Sequence, residues 1–292
     1  MTTITTDELQ FAIPQGFHDD TQYVFNGESP QARLMLEFGL LADVPSNASA
    51  EGQQPGPADI IALQRKELEL GVEAVIDAER EQPLLERHGL RLDYRFDGTL
   101  GRTVVAPLDQ KQFLKIDFLA PDEPRFGERF EELIASVSHR QPREPVRSDW
   151  VRRQVRDLWI DMPRWLESPR RFLLVSSDGQ TRMTVAIFAG EEARQARRLA
   201  ALEEGDRKAS DAIEERTEQK LPTPLGPATI ATYVMIGTEL GATLRRAVTR
   251  AELATPALRV QVAATGPEAR REASETAVKE LLESLAGREI KS

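Results

Sequence analysis

Hydrophobic and polar positions alternate with a period of two along several short stretches of this chain, and helical spacing interrupts them at matching places. Leu9-Gln-Phe-Ala-Ile-Pro14 and Leu158-Trp-Ile-Asp-Met-Pro163 share the shape of a short strand closed by proline. At the same offset of 149 positions, Tyr23-Val-Phe25 falls on Phe172-Leu-Leu174, and Leu34-Met-Leu-Glu-Phe38 falls on Met183-Thr-Val-Ala-Ile187. Three strands thus match without a gap, and an internal repeat is the first organising feature.

Each copy then turns helical. Ile60, Ile61, Gln64, Leu68, Val72 and Val75 recur at helical spacing after Gly56-Pro57 and predict a helix over residues 57–78. Its counterpart is the alanine-rich, charged run Glu191 to Gln219, interrupted by Gly205. Sheet pattern resumes at Gly89–Tyr94 and Ala228–Tyr233, and Leu114–Phe118 corresponds to Leu258–Val262. Both copies close on an amphipathic helix, with Phe130, Leu133, Ile134 and Val137 near 125–138 and with Val278, Leu281, Leu282 and Leu285 near the end. This order predicts an α+β fold, a tandem repeat of two domains, each a mainly antiparallel sheet flanked by helices. The first copy spans 1–140 and the second 155–292. An arginine-rich linker with Pro142 and Pro145 runs over 141–154, and Asp43 to Gly56 reads as a loop.

Charge and composition narrow the function. Residues 1–148 carry 15 Lys+Arg against 26 Asp+Glu; the remainder of the chain's 38 and 48 leaves residues 149–292 at +1. Neither half has the basic excess that binding to phosphate backbones requires, which argues against nucleic acid, and an anionic membrane surface would repel the first half. The absence of cysteine removes disulfides and thiolate metal sites and fits a reducing cytoplasm. Met1 to Gln10 has neither a basic nor an apolar signal region, and no run approaches the ~20 apolar residues of a membrane span. His18, His88 and His139 sit in different elements without partners at ligand spacing. Asp97-Gly98 reads as a hairpin turn, not part of a phosphate loop, and no serine lies in a nucleophile elbow. The sequence therefore predicts a protein that is no enzyme and takes no metal or nucleotide cofactor.

Ile-Pro-Gln-Gly-Phe17, Gly89-Leu-Arg-Leu-Asp-Tyr-Arg-Phe96 and the alternating Phe113 to Phe118 resemble the DcrB-like family, whose fold is that of PsbP. Met162-Pro-Arg-Trp165 and Thr229 to Tyr233 are the second copy's versions, with Asp161 and Thr232 departing from the usual neighbours. One branch of that family, the effector-associated (Eag) chaperones of type VI secretion, pairs single domains as dimers and shields hydrophobic amino-terminal segments of effectors. The resemblance implies two PsbP-like domains in one chain, a pseudo-dimer acting as a cytoplasmic chaperone or adaptor. A structural or assembly docking module of the same fold is the alternative.

The copies differ where such a ligand would lie. Leu90, Leu92, Tyr94 and Phe96 alternate with Arg91, Asp93, Arg95 and Asp97, which gives the first copy a charged outer face. Aligning Tyr94 with Tyr233 puts Ile230, Thr232, Val234 and Ile236 at the matching positions. They form either an apolar binding face or a strand buried on both sides, and a register shift of one residue exchanges the faces. The expected site for an apolar helix is Trp159, Thr184, Ala186, Ile230, Thr232 and Val234, the first three alternating with core-facing Leu158, Ile160, Met183 and Val185.

Overall fold

The computed structural model describes residues 2–28, 31–45, 55–140, 145–239 and 242–287. The chain opens with strands β1 (Thr3–Thr5), β2 (Leu9–Ala12) and β3 (Phe17–Asp19). Next come β4 (Tyr23–Glu28), β5 (Gln31–Leu40), helix α1 (Pro57–Gly71), β6 (Val75–Leu84), β7 (Arg87–Phe96), β8 (Thr99–Pro107) and β9 (Gln112–Pro121). Helix α2 (Pro124–Ser136) and the hairpin β10 (Trp150–Val155) and β11 (Leu158–Pro163) complete that stretch. The remainder holds β12 (Arg171–Ser176), β13 (Arg182–Ala189), α3 (Gly190–Gln195), α4 (Leu199–Lys208) and β14 (Ala212–Thr223). It ends with β15 (Gly226–Glu239), β16 (Ala242–Ala254), β17 (Leu258–Pro267), α5 (Arg271–Glu283) and β18 (Ala286–Gly287). The class is α+β, mostly antiparallel sheet.

Two compact units form, and they cut across the expected 1–140 and 155–292. One is Gln22–Pro169; the other joins Met1–Thr21 to Arg170–Ser292. The expected linker 141–154 is likewise part strand, because Trp150 to Gln154 lie in β10 and Trp150 is fully buried. Residues 141–144 of that linker, and 46–54 of the expected loop, lie outside the described residues.

In Gln22–Pro169 the sheet order is β4-β5-β9-β8-β7-β6, all antiparallel. Asp97 and Gly98, at φ 44 and 69, make the expected two-residue turn between β7 and β8. Helix α1 packs Ile60, Ile61 and Leu68 against Leu92, Tyr94, Val105 and Phe113. It stops at Gly71, short of the expected residue 78, because Glu73 adopts φ 53 and both Val72 and Ala74 donate backbone N–H groups to the Leu68 carbonyl. That closure turns the chain out of the helix and starts β6 at Val75. Helix α2 covers the opposite sheet face, its Phe130 stacked on Phe118 at 5.6 Å.

The charged face expected for the first copy is open to water only at Arg95 and Asp97; its Arg91–Asp93 end is covered. Arg91 is wholly buried, with its guanidinium 5.2 Å from the Phe130 ring centroid and paired to Asp93 at 2.6 Å and Glu131 at 2.7 Å. Alternation set which side chains are charged, but α2 decides what covers them.

In the second unit the sheet runs β14-β15-β16-β17-β13-β12-β3, and β1-β2-β18 form a small separate sheet. Helix α5 buries Ala277, Val278, Leu281 and Leu282 on one face; Leu199 of α4 packs with Ala231, Tyr233 and Val248 on the other. The long helical run expected over Glu191 to Gln219 ends at Lys208, and its last residues form β14 instead. Both edge strands next to a helix, β6 and β14, carry a register bulge and many charged side chains, a pattern that discourages edge-to-edge pairing.

Candidate binding face

Alternate side chains of β12, β13 and β17 point to opposite sheet faces. Phe172, Leu174, Met183, Val185, Val260 and Val262 are buried on the α5 side. The opposite set forms cross-strand rows. Leu173, Thr184 and Ala263 make the central one, with Val175, Arg182 and Thr265 on one flank and Arg171, Ala186 and Gln261 on the other. Arg171, Arg182 and Thr184 are exposed and the rest half-buried. Small side chains at 184, 186 and 263 keep the centre of this surface low, and the arginines stand at its rim.

Helices border the rows. Arg250 follows Ala263 in the register, and its guanidinium clasps Asp206 of α4 at 2.6 and 2.7 Å. The Tyr233 hydroxyl donates to the same carboxylate, and burial, reinforced by that carboxylate, pushes the Tyr233 phenol well above its ordinary range. At the other end Gln261 bonds the Arg197 carbonyl just after α3.

The expected site residues are not brought together. Thr184 and Ala186 stand on this face, whereas Ile230, Thr232 and Val234 are 0%, 1% and 0% exposed. The register carries Ile230 through Ala251 and Val262 to Val185, the α5 side, and it carries Thr184 through Ala263 and Arg250 to Ala231. The two groups therefore lie on opposite faces, and the reading in which this strand is buried on both sides describes Ile230, Thr232 and Val234. Val234→Asp would place a carboxylate among buried apolar groups, so it is expected to destabilise the fold. Trp159 belongs to the other unit, where its backbone N–H and carbonyl pair with Ser138 at 2.7 and 3.0 Å. Leu158, Ile160, Met183 and Val185 do face the core.

Leu173, Val175 and Ala263 were missed. Leu173 and Val175 alternate with buried Phe172 and Leu174, a signal present in the sequence, but only the strand order places them beside Thr184.

The corresponding central row of Gln22–Pro169 is Val24, Met35 and Asp117, apolar except for a carboxylate where the other unit has Ala263. Asp117 lies opposite Met35, accepts a hydrogen bond from Thr103 at 2.6 Å and pairs with Lys115 at 3.3 Å. Nearby, burial pushes the Tyr94 phenol up to about 12, with the Asp117 charge acting in the same direction. A folded pKa above the unfolded value of about 10 means that this stability is complete below pH ~10 and is lost as pH rises through the folded value. We expect urea midpoints to fall between about pH 10 and 12, and Tyr94→Phe to remove part of that fall. Identical pH profiles for the two proteins would contradict this.

His18, His88 and His139 are exposed. Among the described residues no group of three or more His, Cys, Asp or Glu could hold a metal ion, and no helix is long and apolar enough to cross a membrane.

No known protein family matches the chain, and no curated protein matches it. Similar solved structures do exist. The apo immunity protein TplEi of the type VI secretion system of Pseudomonas aeruginosa is 13% identical, with a TM-score of 0.46 over 100% of this chain and 98% of that one. The same protein complexed with an "L" peptide gives 14% identity and a TM-score of 0.44, covering 98% of each chain. A chain of the Tle4–Tli4 complex gives 12% and 0.41, covering 94% of this chain and 100% of that one.

Proposed function

We propose that this chain is a non-catalytic binding protein made of two PsbP-like copies, and that its ligand is an apolar helical segment of a secreted effector. The carrying observation is the central row Leu173, Thr184 and Ala263, which is bordered by helices but leaves Thr184 exposed. A helix laid across small residues can bring its backbone close, and a threonine hydroxyl offers it a hydrogen bond. Each apolar side chain withdrawn from water would contribute roughly 1–2 kcal/mol. The Asp117 carboxylate, which takes the place of Ala263 in the matching row of the other unit, supports a division of labour in which one copy binds and the other does not. The sequence resemblance to effector-associated chaperones supports the type VI setting and a cytoplasmic role with the tandem acting as a monomer. Immunity proteins of that system bear on where to test the reading first.

The experiment is co-purification with hydrophobic amino-terminal segments of effectors encoded beside the gene. Thr184→Arg should reduce retention by at least about tenfold, the loss of roughly 1.4 kcal/mol, while circular dichroism stays unchanged. Retention equal to the unsubstituted protein would remove this face from consideration. Binding that requires the effector's toxic domain and not its amino-terminal segment would replace chaperoning with neutralisation.

A further inference from the structure

We infer that each unit carries a seat for a β-hairpin, that the two seats are equivalent, and that each is filled by the hairpin from the other half of the sequence. In β1–β2 the partners are Thr3 with Ala12, Ile4 with Phe11 and Thr5 with Gln10. In β10–β11 they are Arg152 with Asp161, Arg153 with Ile160 and Gln154 with Trp159, each 149 positions later. The chain leaves both hairpins alike. Phe17 donates its N–H to the Pro14 carbonyl and Leu166 to the Pro163 carbonyl, both at 3.1 Å. His18 then pairs with Val175, and Glu167 bridges to Asn26, again at the same offset.

The decisive contact is a serine clamp at each helix end. Ala12 N–H donates to Ser284 Oγ at 2.9 Å, and Ser284 Oγ donates to the Leu281 carbonyl at 2.6 Å. Asp161 N–H donates to Ser136 Oγ at 3.0 Å, and Ser136 Oγ donates to the Leu133 carbonyl at 2.7 Å. Ala12 and Asp161 are matching positions of the repeat, as are Ser136 and Ser284. A hairpin docked on the helix of its own half would join Ala12 to Ser136; the chain joins it to Ser284 instead. The ligand class each seat accepts is a two-stranded hairpin of the pattern Leu-x-(Phe or Ile)-x-(Ile or Met)-Pro. Leu9, Phe11, Leu158 and Ile160 are all wholly buried. Three buried positions differ in polarity: Ile4 against Arg153, whose guanidinium bonds Ser168, Thr6 against Val155, and Ala12 against Asp161.

Equivalence is tested in the full chain by replacing residues 3–14 with the sequence of 152–163 while keeping Ile4. A control carries the same twelve residues shifted by one position, which turns the apolar row outward. Hydrogen exchange of the α5 amides is the readout. The transplant should hold α5 protection to within about tenfold, and the control should lose it by about a thousandfold, the difference between a seated and an open segment. If the transplant opens α5 as far as the control does, the seats are not equivalent. If the control keeps protection, the seat does not recognise the hairpin pattern at all, and the inference is equally overturned.

Discussion

Phe11→Ala is expected to destabilise the protein by about 3–5 kcal/mol, the usual cost of emptying a buried phenylalanine site. The side chain is fully buried and meets the Phe172 ring edge-on, with centroids 5.5 Å apart. The place of the damage is as informative as its size. Because residues 1–21 belong with 170–292, hydrogen exchange should quicken in β12, β13 and α5 while β5, β8 and α2 keep their protection. Loosening confined to residues 22–140 would contradict the unit assignment, since it would mean that the first hairpin supports the sequence that follows it directly.

The second large effect is expected at Asp161. This carboxylate is 1% exposed and accepts hydrogen bonds from Arg152 at 2.7 and 2.8 Å and from the Val146 backbone N–H at 2.8 Å. Asp161→Ala removes a fully buried carboxylate that pairs with the nearly buried Arg152 guanidinium and accepts from the Val146 N–H, for an expected loss of about 3–5 kcal/mol. Asp161→Ala combined with Arg152→Met should recover part of that loss, because an apolar pair of similar size avoids the desolvation cost of the ion pair. Urea denaturation of the two single variants and the double variant provides the cycle. A double variant less stable than Asp161→Ala alone would show that Arg152 stabilises this place through contacts other than Asp161.

The sequence made the elements legible wherever a local pattern fixed them. Strands at Leu9, Tyr23, Leu34, Gly89 and Leu114 and their counterparts appear where alternation put them, and the two closing helices follow their apolar stripes. What alternation cannot supply is the partner. Arg91 and Asp93 have the spacing of a solvent-facing row, yet a helix encoded thirty-odd residues later lies over them. Thr184 and Ile230 each alternate correctly within their own strand, but their relative face depends on β16 and β17, which pair between them. The left-handed position that ends α1 is Glu73 and not Gly71, so the glycine in the sequence marks the end two residues early. Asp161 likewise stands out in sequence as a polar residue in an apolar strand, and only the hairpin register reveals Arg152 across from it.

The exchanged hairpins also order events during synthesis. Residues 22–169 are contiguous, so that unit has all its parts as soon as β11 has left the ribosome. Residues 1–21 emerge before that unit, yet the serine that clamps Ala12 is 272 positions further on. They must wait, unpaired with their final seat, until Ser284 has been made. Contacts of such sequence separation are slow to form, and waiting strands are open to pairing elsewhere. Of the two units, the one whose first segment emerges earlier is therefore completed later.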